Sequence, residues 1–193
     1  KKLPFRGEEV EVEELTTDSF GGVGVALFSA GGSISKAFAQ SAVDSGACVV
    51  DNSSAFRMDE GVPLVVPEIN GDAAKEHNGI IANPNCTTIV TLMGLNPLHQ
   101  AWNAQKVVAS SYQAVSGSGA AGIAELESQV KAIANGEEPV REVYPHQIAF
   151  NVIADIGGVG DNGYTSEEMK MQNEGRKILG QPDLLASVTC VRV

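Results

Sequence analysis

The segment GVALFSAGGSISKAFAQSAVDSGACVVDNS, residues 24–53, decides how the first part of the chain folds. It opens on an apolar run closed by Gly31-Gly32, carries Ala37, Phe38, Ala42 and Val43 at helical spacing, and ends on a second apolar run at ACVVD. Strand, helix, strand at this spacing is a βαβ unit, whose crossover makes the two strands parallel. Short apolar runs follow in PLVVPEI and GIIAN, so a doubly wound α/β part is expected over residues 1–85. The charged stretch before it, KKLPFRGEEVEVEEL, reads as strand-like.

From residue 86 the texture changes. A helix is expected from Cys86 to about Trp102, with Pro97 kinking or splitting it. A β-favouring stretch, KVVASSYQAVS, leads through a Gly/Ser loop into a helix, IAELESQVKAIANG, whose Asn135-Gly136 is a stop signal. The apolar run HQIAFNVIADI, a loop GGVGDNGYTS, a helix from about Glu167 to Leu179 and a closing strand complete an α+β part over 86–193. No internal repeat or low-complexity linker interrupts the chain.

Composition narrows the class of function. With 193 residues and 43% hydrophobic content the chain buries a sizeable core. A net charge of -11 and a pI near 4.6 argue against nucleic-acid or anionic-membrane partners, which such a field repels. No apolar run approaches the roughly 20 residues of a membrane span, and the first residues look nothing like a signal peptide. A soluble, cytoplasmic protein is expected. Cys48, Cys86 and Cys190 are odd in number and lack CxxC spacing, so neither a disulfide framework nor a metal site is suggested.

Cys86 lies in IANPNCTTI, residues 81–89. Pro84 demands extended or turn backbone, Asn85 is a favoured N-cap, and CTTIVTLMGL continues as a helix, which puts the sulfur at a helix start just past a strand. Free N–H groups and the positive end of the helix dipole favour thiolate there, and cysteines so placed fall from a pKa of about 8.5 to roughly 3.5–7.5. In an open α/β sheet this is also the edge at which ligands bind. Local context leaves nucleophile and small structural residue both open for Cys86, and favours the structural reading for Cys48 and Cys190, which sit within strands.

Other features have plain alternatives. In SGSGAAG, Gly117, Gly119 and Gly122 match GxGxxG between a strand and a helix, yet the acidic strand end that completes a dinucleotide fingerprint is missing from NGEEPVREVYP. A glycine-rich turn that lets a ligand approach the backbone is the reading kept. Ser29, Ala30 and Gly31 follow a strand and open a helix, which suits either a cofactor contact or a simple turn. Arg57 reads as a surface arginine, and Glu167 with Lys170 as an exposed intrahelical ion pair. His77, His99 and His146 show no ligand spacing and no pairing with Cys86.

Taken together, ALFSAGGS, VVDNSSAFRMDEGVPLVVPEIN, NGIIANPNCTTI, SSYQAVSGSG, YPHQIAFNVI, YTSEEMKM and TCVRV closely resemble the aspartate-semialdehyde dehydrogenase family, over essentially the whole chain. The combination of NPNCTT with FRMD before it and YQAVSG after it is very specific. N-acetylglutamyl-phosphate reductases and glyceraldehyde-3-phosphate dehydrogenases also place a cysteine at a helix start, with different flanking residues.

The resemblance implies a Rossmann-like NADP-binding domain in 1–85 and a catalytic and dimerisation domain in 86–193, both incomplete. It implies NADPH reduction of β-aspartyl phosphate to L-aspartate 4-semialdehyde, on the route to lysine, threonine, methionine and, in bacteria, diaminopimelate. Cys86 would be the nucleophile that forms a thioester, with Gln113 orienting the acyl group. Arg57, Asn85 and Lys170 match the phosphate-binding positions. Glu167 matches the residue that recognises the substrate amino group, and Arg192 the one that grips its α-carboxylate. Ser116 and Gly117 would face the nicotinamide side of NADP, and Ser29, Ala30 and Gly31 the adenosine side. A homodimer or tetramer is implied.

The family's first strand and pyrophosphate loop would precede Lys1, and its acid–base histidine would follow Val193. Residues 1–193 are therefore expected to belong to a longer protein and to be inactive alone. A related acyl-phosphate reductase, such as N-acetylglutamyl-phosphate reductase, and a truncated chain acting only through a dimerisation surface are the competing readings.

Overall fold

The chain opens as a hairpin of β1 (Lys2–Phe5) and β2 (Glu8–Glu11), antiparallel with Leu3 opposite Val10. The turn residues Arg6 and Gly7 both take positive φ, the backbone of a tight hairpin turn. The opening βαβ segment forms β3 (Val25–Phe28), α1 (Gly32–Asp44) and β4 (Cys48–Asp51), with the two strands parallel as expected. β5 (Ile80–Ala82) adds to β4, again parallel, and gives the order β3-β4-β5.

PLVVPEI contributes less than a strand. Leu64 makes a single parallel bridge to Ala82, and Pro67 then starts a short helix, α2 (Pro67–Asn70), where its missing N–H costs nothing. The core beneath the sheet gathers Phe20, Ala26, Phe28, Ala39, Ala42 and Val49. Phe20 and Phe28 stack with centroids 5.9 Å apart. Each large buried apolar side chain here contributes roughly 1.5–3 kcal/mol.

This computed structural model describes all residues, Lys1–Val193, and divides into two units, Lys1–Pro84 and Asn85–Val193. The second unit begins with α3 (Cys86–Trp102), which runs unbroken through Pro97. β6 (Lys106–Gln113) leads through a 3-10 turn at Val115–Ser118 into α4 (Gly119–Ala134). α5 (Ser166–Leu179) and β7 (Leu185–Arg192) follow. β6 and β7 are parallel from Lys106↔Leu185 to Gln113↔Arg192, so this unit also contains a helical crossover.

The apolar stretch HQIAFNVIADI makes no strand. It runs irregularly, joins β7 only through an antiparallel bridge between Ile153 and Arg192, and packs Ile148 and Ile153 with Val115. Side chains satisfy its backbone. The buried Gln129 on α4 accepts from the N–H groups of Ile148 and Ala149, and just before the stretch Glu125 accepts from those of Glu142, Val143 and Tyr144. The whole is a mixed α/β architecture with parallel pairing in both units. No helix is long and apolar enough to cross a membrane.

Candidate active site

Asn85 caps α3 with extended backbone (φ -60, ψ 143), and its Oδ1 accepts from the N–H groups of Thr87 and Thr88 at 2.9 and 3.3 Å. Capping leaves Cys86 at the first helical position with an exposed thiol, while Asn85, Thr87 and Thr88 around it are buried. A cleft of about 600 Å³ opens there, lined among others by Cys86, Thr87, Gln113, Ser116, Gly117 and Arg192.

The strand ladder explains how these residues meet. Gln113 and Arg192 are the register partners at the C-terminal ends of β6 and β7. The Gln113 amide donates to Thr87 Oγ1 and, at 3.2 Å, to Glu167 Oε1. Arg192 is only 8% exposed, and its Nη1 donates to the carbonyl of Ala114 at 2.8 Å. The backbone of Gly117 passes directly beneath that guanidinium: a Cβ on Gly117 would lie 2.7 Å from Nη1.

Glu167 is the hub of the site and is not the exposed ion-pair partner that spacing alone allowed. It is 8% exposed, near the start of α5. Oε1 accepts from Asn85 Nδ2 at 2.9 Å and from Gln113, and Oε2 from Lys170 Nζ at 2.8 Å. Burial pushes its carboxyl up, but the Lys170 ammonium and the Asn85 and Gln113 amides outweigh burial and hold it below the usual carboxylate range. Lys170 remains one-third exposed.

The other two cysteines differ from Cys86. Cys190 is fully buried in β7, where burial first, and then the carboxylates of Glu167 and Glu168, push its thiol up. Cys48 in β4 lies 3.9 Å from both ring nitrogens of His77, whose Nδ1 accepts from the Gly79 N–H. No histidine lines the cleft, and no group of His, Cys, Asp and Glu is placed to hold a metal.

Four predicted site residues belong to the first unit. Ser29, Ala30 and Gly31 lie exposed between β3 and α1, with Asn52 Nδ2 donating to Ser29 Oγ at 3.3 Å. Gly31 takes φ 95 and ψ 161, a conformation essentially reserved for glycine, and starts α1 without a side-chain cap. Arg57 is not the surface arginine that its acidic surroundings suggested. It is 7% exposed, with Nε on the carbonyl of Asn83 (2.9 Å) and Nη2 on that of Asn52 (3.1 Å).

One site residue escaped sequence reasoning altogether. Glu174, 2% exposed on α5, accepts the backbone N–H of Asn85 at 2.7 Å. The available signal was its spacing from Glu167, about two turns along one helical face.

The chain resembles known proteins over its whole length. Residues 95–193 match the model of the semialdehyde dehydrogenase dimerisation domain, and residues 1–77 that of the semialdehyde dehydrogenase NAD binding domain. The chain is 54% identical over its whole length to an aspartate-semialdehyde dehydrogenase of Bacillus subtilis and 48% identical to one of Aquifex aeolicus. It covers 58% of each of those proteins. Among solved structures, aspartate semialdehyde dehydrogenase II from Vibrio cholerae in complex with ASA superposes with a TM-score of 0.97 at 44% identity, over all of this chain and 58% of that one.

Proposed function

This chain belongs to the semialdehyde dehydrogenase family, and from that premise we propose that its protein is an NADP-dependent, phosphorylating aspartate-semialdehyde dehydrogenase. The reaction is reductive dephosphorylation of β-aspartyl phosphate to L-aspartate 4-semialdehyde. The observation that carries the reading is one exposed thiol, Cys86, at a capped helix start in the same cleft as Gln113 and Arg192.

In this reading the Cys86 sulfur adds to the acyl carbon, and phosphate departs with the electron pair of the C–O bond, leaving a thioester on the enzyme. Gln113 orients that acyl group. Arg192 takes the substrate α-carboxylate through its planar fork, and Glu167, ionised across the neutral range, takes the amino group. Lys170, Asn85 and, in the first unit, Arg57 are the phosphate ligands. They supply local positive charge and amide donors in an otherwise acidic protein.

The first unit suits a nicotinamide dinucleotide. α1 starts uncapped at Gly31, where open space surrounds the Cα, and such a helix start favours an anionic group. Ser29, Ala30 and Gly31 would hold the adenosine side and Ser116 and Gly117 the nicotinamide side. Bound there, the cofactor supplies the hydride that reduces the thioester. The dimerisation-domain match supports assembly as a homodimer or tetramer, and biosynthetic chemistry of this kind suits the cytoplasm.

The test uses the full-length protein and follows NADP reduction with L-aspartate 4-semialdehyde and inorganic phosphate. The expected result is phosphate-dependent turnover that Cys86→Ala lowers by about 10³-fold or more. Turnover that survives this change defeats the reading, and a clear preference for an N-acetylated semialdehyde would move the protein to the related reductases.

A further inference from the structure

Asn85 is held from three sides. Its Oδ1 closes the first turn of α3, its Nδ2 donates to Glu167 at 2.9 Å, and its main-chain N–H donates to Glu174 at 2.7 Å. The two carboxylates stand about two turns apart on α5, and both are buried. Glu167 is accounted for by its substrate role. Glu174 does not line the cleft, and it reaches the site through the main chain of Asn85.

Losing that acceptor would leave a buried main-chain N–H without a partner at the start of α3. Helix ends fray when their first N–H groups are loosely held. An acceptor on the main-chain N–H of the residue before Cys86 holds that helix start in register with Gln113 and Arg192.

We propose that Glu174 is a positioning residue for the Cys86 thiol, anchoring the main chain of Asn85 so that the first turn of α3 stays fixed against the ends of β6 and β7. The proposal rests on the reading of Cys86 as nucleophile, but its test does not depend on the substrate. Acting through backbone, Glu174 needs only an oxygen of the right reach, and a glutamine supplies one.

The experiment compares the full-length protein with Glu174→Ala, Glu174→Gln and Glu174→Asp, by amide hydrogen exchange and by the rate of iodoacetamide labelling of Cys86. In Glu174→Ala, exchange across residues 83–89 should rise about tenfold, the equivalent of roughly 1.4 kcal/mol, while β6 and α4 stay as they were. Labelling of Cys86 should slow about fivefold, because a frayed turn no longer presents its free N–H groups to the sulfur. Glu174→Gln should bring both readouts back to within about twofold of wild type.

Should Glu174→Ala fail to fold, Glu174→Asp carries the test, since it keeps the charge and withdraws the oxygen by one methylene. It should loosen residues 83–89 in the same way. Wild-type exchange and labelling in a folded Ala or Asp variant would overturn the proposal, as would a Gln variant as impaired as Ala. Neither readout uses semialdehyde or NADP, so a wild-type protein without that activity defeats the function reading and leaves this test intact.

Discussion

Two helices of the second unit, one starting at the cleft and one just after the turn that lines it, begin in opposite ways. α3 starts on Asn85, whose backbone N–H, Nδ2 and Oδ1 are all engaged and whose partners are buried. α4 starts on Ser118-Gly119 with no side-chain cap, after a turn in which Gly117 meets the Arg192 guanidinium at close range. Gly117 makes room for Arg192, and a Cβ at Gly122 would fall 2.7 Å from Tyr144 Oη and 2.8 Å from the carbonyl of Val115. One start is built from side chains and sets the exposed Cys86 thiol at the cleft. The other is stripped of side chains because neighbouring groups need the space.

The sharpest way to break this contrast is at the polar start. Glu167→Gln removes the charge that pairs with Lys170 and holds Asn85, and should lower kcat/KM for the semialdehyde by about 100-fold, within the roughly 1.5–3 kcal/mol of a charged hydrogen bond. The same variant has a pH signature. The Glu167 carboxyl is held below its ordinary value of 4.5, so its stabilising effect is present above that value and is lost as pH falls through the depressed one. Thermal unfolding should therefore show a steady gap between wild type and variant from neutral pH down to about 5, closing below 4.5. A gap that persisted unchanged into strong acid would show that Glu167 acts through shape alone.

Much of this contrast was readable before any coordinates. The βαβ segment was legible because its apolar runs are short, bounded by glycine and joined by a helical pattern, a local signal. The helix start at Asn85-Cys86 was legible for the same reason, since Pro84, Asn85 and the apolar run beyond lie side by side. Apolar runs that owe their burial to distant partners were less so. PLVVPEI yielded one bridge and a short helix, and HQIAFNVIADI is held by Gln129 and Arg192 from elsewhere in the chain. Glu174 shows the limit most clearly: it reaches an amide 89 positions away, and its spacing from Glu167 is the one local hint of that pairing. Pro97 was expected to disturb α3, yet the helix continues through it. In the GxGxxG match, Gly117 and Gly122 clear space for Arg192 and Tyr144, while Gly119 takes a positive φ.

A smaller effect sharpens the glycine side. Gly117→Ala puts a methyl group against the Arg192 guanidinium, which is buried and bonded to the carbonyl of Ala114. The side chain must give up that bond or shift within the cleft, at a cost of about 1–2 kcal/mol. KM for the semialdehyde should rise about tenfold with a much smaller change in KM for NADP. The reverse pattern would mean that Gly117 matters chiefly as a cofactor contact, and that clearance for Arg192 is incidental.

The smallest expected effect tests whether capping alone explains the polar start. α5 also begins with a strong cap: Thr165 Oγ1 accepts from the Glu168 N–H at 3.3 Å, and the Glu168 carboxylate accepts from the Thr165 N–H at 2.7 Å. Thr165 is buried, as Asn85 is, but it does not line the cleft, and its cap bonds are with Glu168. Thr165→Ala should cost about 1 kcal/mol and lower Tm by roughly 2–4 °C in a chain of this size. If what matters at α3 is a helix start tied to a reactive group, kcat should stay within about twofold of wild type, because Glu167 and Glu174 grip Asn85 from positions further along α5. A fall in kcat out of proportion to that small loss of stability would mean that the cap of α5 sets the site, and that the two helix starts differ less in kind than their chemistry indicates.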